Sequence, residues 1–142
     1  MREFRVFGIP KPGGSKRAFM NRKTGRAMIV DTCKDVKAWR DSVVSAYIEA
    51  YGKEQAFDGP LSVKIGFFMP RPKGHYGKRG IRLSAPEYPT VKPDIIKLTR
   101  STEDALTGFA WRDDCLIVKE ELFKLYENGS QKPGAIIQIG TL

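Results

Sequence analysis

The sequence is poor in the residues that build disulfides and soft-metal sites. It has two cysteines, Cys33 and Cys115, and a single histidine, His75, in 142 residues. A structural zinc site takes four such ligands, so these three residues exclude one. We expect both thiols to be reduced and mostly buried.

Long apolar runs are also missing. No stretch approaches the ~20 apolar residues that a membrane span needs, and the charged N-terminus MREFRVFGIP does not resemble a secretion signal. The glycine-rich KPGGSKR lacks the spacing of a nucleotide-binding loop. We therefore expect a soluble, cytoplasmic protein with no membrane partner and no small-molecule cofactor.

Acidic residues are in the minority. The 25 Lys and Arg outnumber the 16 Asp and Glu, which gives a net charge of +9. Residues 1–27 carry a net +7 and residues 70–92 a net +5, whereas the rest of the chain sums to −3. Basic segments of this kind neutralise phosphates and indicate nucleic-acid binding. A basic surface that only aids solubility remains the alternative.

The composition suffices for one domain. With 41% hydrophobic residues, including 8 Phe and 2 Trp, the chain can build a core without disulfides.

Thr32 followed by Asp35 resembles a capping box that begins a helix reaching about Tyr51, and three- and four-residue spacing predicts a second helix over 95–106. Alternating apolar residues predict strands at about 3–9, 27–30, 61–69, 115–126 and 135–139.

This mixed order predicts a single α+β (α/β-like) domain over 1–142, with two main helices on one small mixed sheet. The basic segments at about 10–27 and 70–93 have turn formers and no period, so we expect a loop or loose hairpin in the first and a long irregular loop in the second.

The segment KPDIIKLTRSTEDALTGFAWRDDC concentrates carboxylates beside a basic helix. Asp94 precedes the predicted second helix, and Asp113 and Asp114 follow it in a turn before a strand. A short return after the helix lets such groups share a hard cation, and magnesium prefers oxygen ligands. On DNA, the ion would activate water and stabilise charge on the phosphate. The plainer alternatives are a helix N-cap for Asp94 and a polar turn for the pair.

The same stretch resembles the signature of the RusA family of Holliday-junction resolvases. The matching features are Pro93-Asp94, Arg100, Asp104-Ala105-Leu106-Thr107-Gly108, Trp111 and Asp113-Asp114. Two other stretches, GIPKPGGSKR and MPRPKGHYGKRG with SAPEYPTVKPD, resemble the phage and Gram-positive branch. The likeness extends from Phe7 to about Tyr126, nearly the whole chain.

The resemblance implies a homodimeric endonuclease that binds four-way DNA junctions and makes paired nicks with magnesium, or with manganese in its place. Asp94 matches the family's first essential aspartate and Arg100 its functional lysine. Asp114 matches the essential second residue of the aspartate pair, with Asp113 supporting it. The phage-like branch implies a role in processing recombination or replication intermediates in the cytoplasm of a bacterial host, and the family as a whole implies DNA recombination and repair.

One departure concerns the metal. The family's second aspartate falls on Ile96, whose alkyl group cannot bind magnesium. Glu103 lies about 20° away around the helix but roughly 10 Å further along its axis, so it can serve only if the metal shifts toward Asp104. The hypothesis is a ligand set of Asp94, Glu103 and Asp114. The alternatives are a solvated Glu103 and a branched-DNA-binding protein that has lost cleavage.

Basic and aromatic side chains of the two loops and the second helix are the predicted DNA contacts. In that surface, His75 can bind phosphate or transfer a proton, and Tyr76 can stack on an unpaired base. Plain polar surface is the alternative for His75, and RNA is a third candidate partner. The predicted set is Lys11, Lys16, Arg17, Arg22, Lys23, Arg71, Lys73, His75, Tyr76, Lys78, Arg79 and Lys97.

Overall fold

The computed structural model of the protein describes residues 1–13, 16–20, 23, 25–31 and 35–142, and for 16–20 and 27–31 it describes the backbone alone. The predicted contacts Lys16 and Arg17 lie on this backbone-only strand, while Arg22 lies outside the described residues. Cys33 and Thr32 lie outside them as well.

A four-stranded mixed sheet forms the centre of the fold. Its strands are β1 (Arg2–Phe7), β4 (Leu61–Met69), β7 (Ile117–Tyr126) and β8 (Gly134–Thr141), in the order β1-β8-β4-β7. The pairs β1–β8 and β8–β4 are antiparallel, whereas β4 and β7 run parallel. A parallel pair needs a crossover connection, and the connection between β4 and β7 contains the second helix.

Two helices, α1 (Val36–Tyr51) and α2 (Ile95–Leu106), pack against each other, with α1 on β1 and α2 beside β7. Their contact includes a buried hydrogen bond in which the indole nitrogen of Trp39 donates to the hydroxyl of Thr102 over 3.1 Å. Leu98 of α2 is fully buried in the same core. The apolar face of α2 therefore fixes which of its residues point away from the core.

Two small hairpins accompany the sheet. Strands β2 (Lys16–Met20) and β3 (Ala27–Asp31) pair antiparallel, so of the two predicted alternatives, loop and loose hairpin, the hairpin is the one observed. Within the long basic loop, β5 (Tyr76–Gly77) pairs with β6 (Gly80–Ile81). The predicted α+β class with two main helices and a mixed sheet is confirmed. Neither described helix is long and apolar enough to cross a membrane.

Three local predictions were wrong. Asp35 is itself the N-cap of α1, with a φ of 66° and no side-chain bond to the described helix, so it is not the third helical residue of a capping box. The strand predicted from Cys115 begins at Ile117, because residues 114–116 form a 3₁₀ turn. Cys115 is exposed rather than buried, since it lies on that solvent-facing turn.

Gly134, the first residue of β8, lies very close to the backbone of β1. Its φ is 150°, and a Cβ at this position would overlap the carbonyl oxygen of Val6 on β1. We expect Gly134→Ala to lower the free energy of unfolding by about 3 kcal/mol, through backbone strain and displacement of β1. The control is Gly129→Ala, where a Cβ would meet open space. Urea denaturation of both variants checks this, and equal stability would contradict it.

Candidate active site

The middle of α2 carries a strip of side chains that face solvent beside β7. Ile96, Arg100 and Glu103 are separated by four and three residues, the spacing that places side chains on one face of a helix. Opposite them lie Asp114, from the 3₁₀ turn, and Glu120, from β7. The open cleft between them, called the acidic cavity from here on, has a volume of about 240 Å³. Its lining is Ile96, Thr99, Arg100, Glu103, Asp104, Asp114 and Glu120.

A short, well-anchored return brings Asp114 back to α2. Gly108, with a φ of 90°, ends the helix, and its N–H donates to the carbonyl of Trp111 over 2.7 Å. The buried indole of Trp111 donates in turn to the hydroxyl of Thr107 over 3.0 Å. The N–H of Cys115 donates to the carboxylate of Asp113 over 3.0 Å and so fixes the turn that presents Asp114.

Glu103 is the most perturbed acid of the acidic cavity. Partial burial, the largest cause, raises the pKa of Glu103 to about 9, and a hydrogen bond to the carboxyl of Glu120 adds to it. The negative charges of Glu120, Asp114 and Asp104 act in the same direction. Glu103 therefore holds a proton at neutral pH.

The aspartate pair shows the same competition for protons. The N–H and thiol of Cys115 stabilise the charged form of Asp113 and lower its pKa. A hydrogen bond to Asp113, followed by partial desolvation, raises the pKa of Asp114. Of the two, Asp114 is the member that opens onto the acidic cavity.

Positive side chains border these acids. Arg100 lines the acidic cavity from α2, and Lys119 borders an adjoining cavity of about 330 Å³ that Glu103, Asp114 and Glu120 also line. A guanidinium can bind two oxygens of one phosphate. The site therefore combines hydrogen-bonded carboxyls with groups suited to a phosphate.

Oxygen donors of this kind fit a hard cation such as magnesium or manganese better than zinc. In the part of the chain that the structure describes, no three acidic, histidine or cysteine side chains are already arranged to hold one metal ion. The carboxyls of Glu103 and Glu120 are instead hydrogen-bonded to each other. The donor chemistry fits, and a cation would have to replace the proton on Glu103.

The structure brings Arg100, Glu103 and Asp114 together, and Asp113 contacts Asp114 from the turn. Asp94 is not part of this lining. It occupies the N-cap position of α2, where its carboxylate makes no capping bond to the described helix and lies 3.9 Å from the ammonium of Lys97. Asp94 is exposed and Lys97 is half-buried, so water screens the pair and it contributes little to stability.

Sequence reasoning missed Glu120 and Lys119 because both lie on β7, where charged residues are expected simply to face solvent at the edge of a sheet. The signal that could have found them is topological. A helix that crosses between two parallel strands, here α2 between β4 and β7, lies beside the strand that follows it. The polar face of the helix can then meet the polar residues at the beginning of that strand.

Three of the predicted DNA contacts are engaged within the protein. The guanidinium of Arg71 donates to the carbonyls of Glu127 and Pro86 over 2.7 Å each. His75 stacks edge-on against Tyr126 and lies within hydrogen-bonding distance of Arg71. The hydroxyl of Tyr76 donates to the carboxylate of Glu127 over 2.6 Å. These side chains hold the long loop against the end of β7.

The other described candidates are more accessible. Lys23, Lys73, Lys78 and Arg79 are exposed, the last two in the turn between β5 and β6. Lys11 and Lys97 are half-buried, and Lys11 lines an apolar cavity of about 410 Å³ near the start of α2. The exposed hairpin turn is therefore the best-placed described candidate for a contact with DNA backbone.

Carboxylates from a helix and a following turn, set beside cations in a strongly basic α+β domain, suit a protein that processes nucleic acids. The family model of endodeoxyribonuclease RusA matches residues 10–140, and the chain belongs to this family. The predicted family is confirmed. Membership implies DNA endonuclease activity on Holliday junctions. No curated protein matched the chain.

Proposed function

We propose that this protein is a magnesium-dependent endonuclease that resolves four-way DNA junctions as a homodimer, with the acidic cavity as its active centre. The observation that carries the proposal is that Glu103 and Asp114, from separate elements, line one cavity beside Arg100. Family membership supplies the reaction class, and the net charge of +9 supports a phosphate-rich partner.

In this proposal Glu103 and Asp114 hold the cation, and manganese can take its place. A bound divalent ion would supply an activated water and offset the charge that develops on the phosphate. Arg100 binds a phosphate oxygen at the edge of the cavity and orients the scissile strand. Asp94 is not in this ligand set, because Asp94 lies nine residues before Glu103, about 13 Å along the helix axis. Its role as a metal ligand stays a prediction.

A second candidate is a protein that binds branched DNA without cutting it. Ile96 favours this candidate, since it lines the acidic cavity at the place where the resemblance implies an aspartate. The two candidates share the fold and the basic surface, and they differ only in whether the remaining carboxyls can hold a cation.

A labelled four-way junction incubated with and without magnesium separates the candidates. We expect paired nicks that require the ion, and Glu103→Gln should cut at least tenfold more slowly at saturating DNA, because it removes one charged ligand. A gel shift without nicks at any magnesium or manganese concentration would support the second candidate. Full activity of Glu103→Gln would remove Glu103 from the centre. Sedimentation of the free protein tests the proposed dimer.

The hairpin turn is expected to contact phosphates. Replacing both Lys78 and Arg79 by alanine should weaken junction binding and reduce the slope of log affinity against log salt by about 2, one for each lost phosphate contact. The control is Lys37→Ala, another exposed lysine, which lies on α1 and pairs with Asp41. A salt slope equal to that of the wild type would show that the turn does not touch DNA.

A further inference from the structure

The long loop between β4 and α2 is tied to the protein at its base. The guanidinium of Arg71, at the start of the loop, donates both to the carbonyl of Glu127 just after β7 and to the carbonyl of Pro86 further along the loop. One side chain therefore closes the loop and anchors it to the sheet. The segment enclosed between these contacts, residues 72–85, is called the basic arm.

Backbone hydrogen bonds shape the outer part of the basic arm. The N–H of Arg82 donates to the carbonyl of His75 over 2.8 Å, and the N–H of Ala85 donates to the carbonyl of Arg82 over 3.0 Å. The second bond closes a four-residue turn with Leu83 and Ser84 at its two central positions. Leu83 is fully exposed, more so than any other large apolar side chain in the described part of the chain. It therefore buries no apolar surface within the protein.

The charges around Leu83 indicate what kind of partner covers it. Residues 70–86 carry five Lys and Arg and no Asp or Glu. Duplex DNA matches such a surface, because its phosphates lie outside and its stacked bases form an apolar interior. An anionic membrane also places phosphates over an apolar interior, but a stable membrane contact needs a much larger apolar face than one leucine.

We infer that Leu83 is a wedge that inserts between bases at the branch point of a four-way junction, while the cations of the basic arm bind the flanking phosphates. Leucine is one of the side chains that proteins insert to unstack a base step. Unstacking costs least where pairing is already interrupted, as it is at a branch point. This inference rests on the proposed function and adds to it a residue that recognises the branch.

The basic arm and the acidic cavity lie at opposite ends of β7. His75 of the arm packs edge-on against Tyr126, the last residue of the strand. Glu120, which lines the cavity, lies six residues earlier, about 20 Å along the strand. A substitution of Leu83 therefore leaves the carboxyls of the cavity unchanged, and it acts on cleavage only through the placement of the DNA.

Junctions that carry 2-aminopurine, an adenine analogue that fluoresces when unstacked, test the wedge with the full chain. Without magnesium the DNA stays intact. We expect the wild type to raise the fluorescence of a probe at the branch point, but not of a probe in the middle of a duplex stem. Leu83→Ser should lose this increase and bind the junction about tenfold more weakly. Its salt slope should stay unchanged, because no charge is lost.

Two further variants separate a wedge from a structural role of the turn. Leu83→Met keeps an apolar side chain of similar volume, so it should keep most of the fluorescence increase. Leu142→Ser removes another exposed leucine, at the C-terminus, and should behave as the wild type. Circular dichroism confirms that each variant is folded.

The outcomes separate the two proposals. If the wild type binds and cuts junctions and Leu83→Ser gives the same fluorescence increase, the wedge is overturned and the proposed function stands. A wild type that does not bind junctions would overturn both. A change in sedimentation of free Leu83→Ser would show that the turn contacts a second copy, and Leu83-dependent pelleting with phosphatidylserine vesicles would show a membrane contact. Either result, without a fluorescence increase at the branch point, also overturns the wedge.

Discussion

Asp114→Asn is expected to abolish junction cleavage and to leave junction binding intact. Asp114 is the member of the aspartate pair that lines the acidic cavity, and its turn is fixed independently by the contact between Asp113 and Cys115. A catalytic metal ion contributes several kcal/mol of transition-state stabilisation, so loss of a ligand should slow single-turnover cleavage on the order of a thousandfold. Binding should be unchanged or tighter, because one negative charge near the phosphates is gone.

The control for Asp114→Asn is a variant that loses a carboxylate far from the acidic cavity. We use Asp41→Asn, because Asp41 is exposed on α1 and its ion pair with Lys37 contributes little to stability. It should cut at the wild-type rate. If Asp114→Asn cuts as fast as Asp41→Asn at saturating magnesium, the metal centre lies elsewhere on the protein.

Without metal, the protein is expected to lose stability as the pH rises from about 5 to about 9. The pKa of Glu103 is about 9 in the folded chain, against an ordinary value of 4.5. Between these values the folded chain keeps a proton that the unfolded chain has released, so the free energy of unfolding falls with pH. Because Glu103 is only half-buried and water screens it, we expect a loss of about 1 to 2 kcal/mol.

Urea denaturation at pH 5, 7 and 9 in a chelator measures this effect. Glu103→Gln cannot ionise, so its stability should change less with pH and should exceed that of the wild type at pH 9. Magnesium should raise the wild-type midpoint most at high pH, because the ion binds the ionised carboxylates of the folded state. Parallel pH profiles for the wild type and Glu103→Gln would contradict a raised pKa of Glu103 in the folded chain.

Local pattern was enough to predict much of the fold. The structure places α2 at Ile95–Leu106, the range that its apolar spacing predicted, and β4 at Leu61–Met69, again as predicted. Both elements have one strongly apolar face, so burial alone fixes their type and extent. The ends were less predictable where a turn intervenes, as at Asp35 and at Cys115.

The site was predicted only where its residues are local to α2 and its return. Arg100 and Glu103 are related by the geometry of α2, and Asp114 follows them after a short return in the same segment. Glu120 was missed because its nearness to Glu103 depends on the parallel pairing of β7 with β4, which no local period encodes.

The basic loop shows the same limit. The partner of Tyr76 is Glu127, a residue 51 positions away. A contact of that range decides whether a loop side chain faces solvent or the protein, and composition alone cannot reveal it. The exposure of Lys78 and Arg79 depends instead on a local contact, the hairpin pairing of β5 with β6.

The most direct test of the metal centre is an anomalous difference map from crystals of the full chain soaked in manganese. We expect one peak per protomer between α2 and β7, about 2.1 Å from carboxylate oxygens of Glu103 and Asp114. A peak at Asp94 alone, or none at any manganese concentration that supports cleavage in solution, would contradict it.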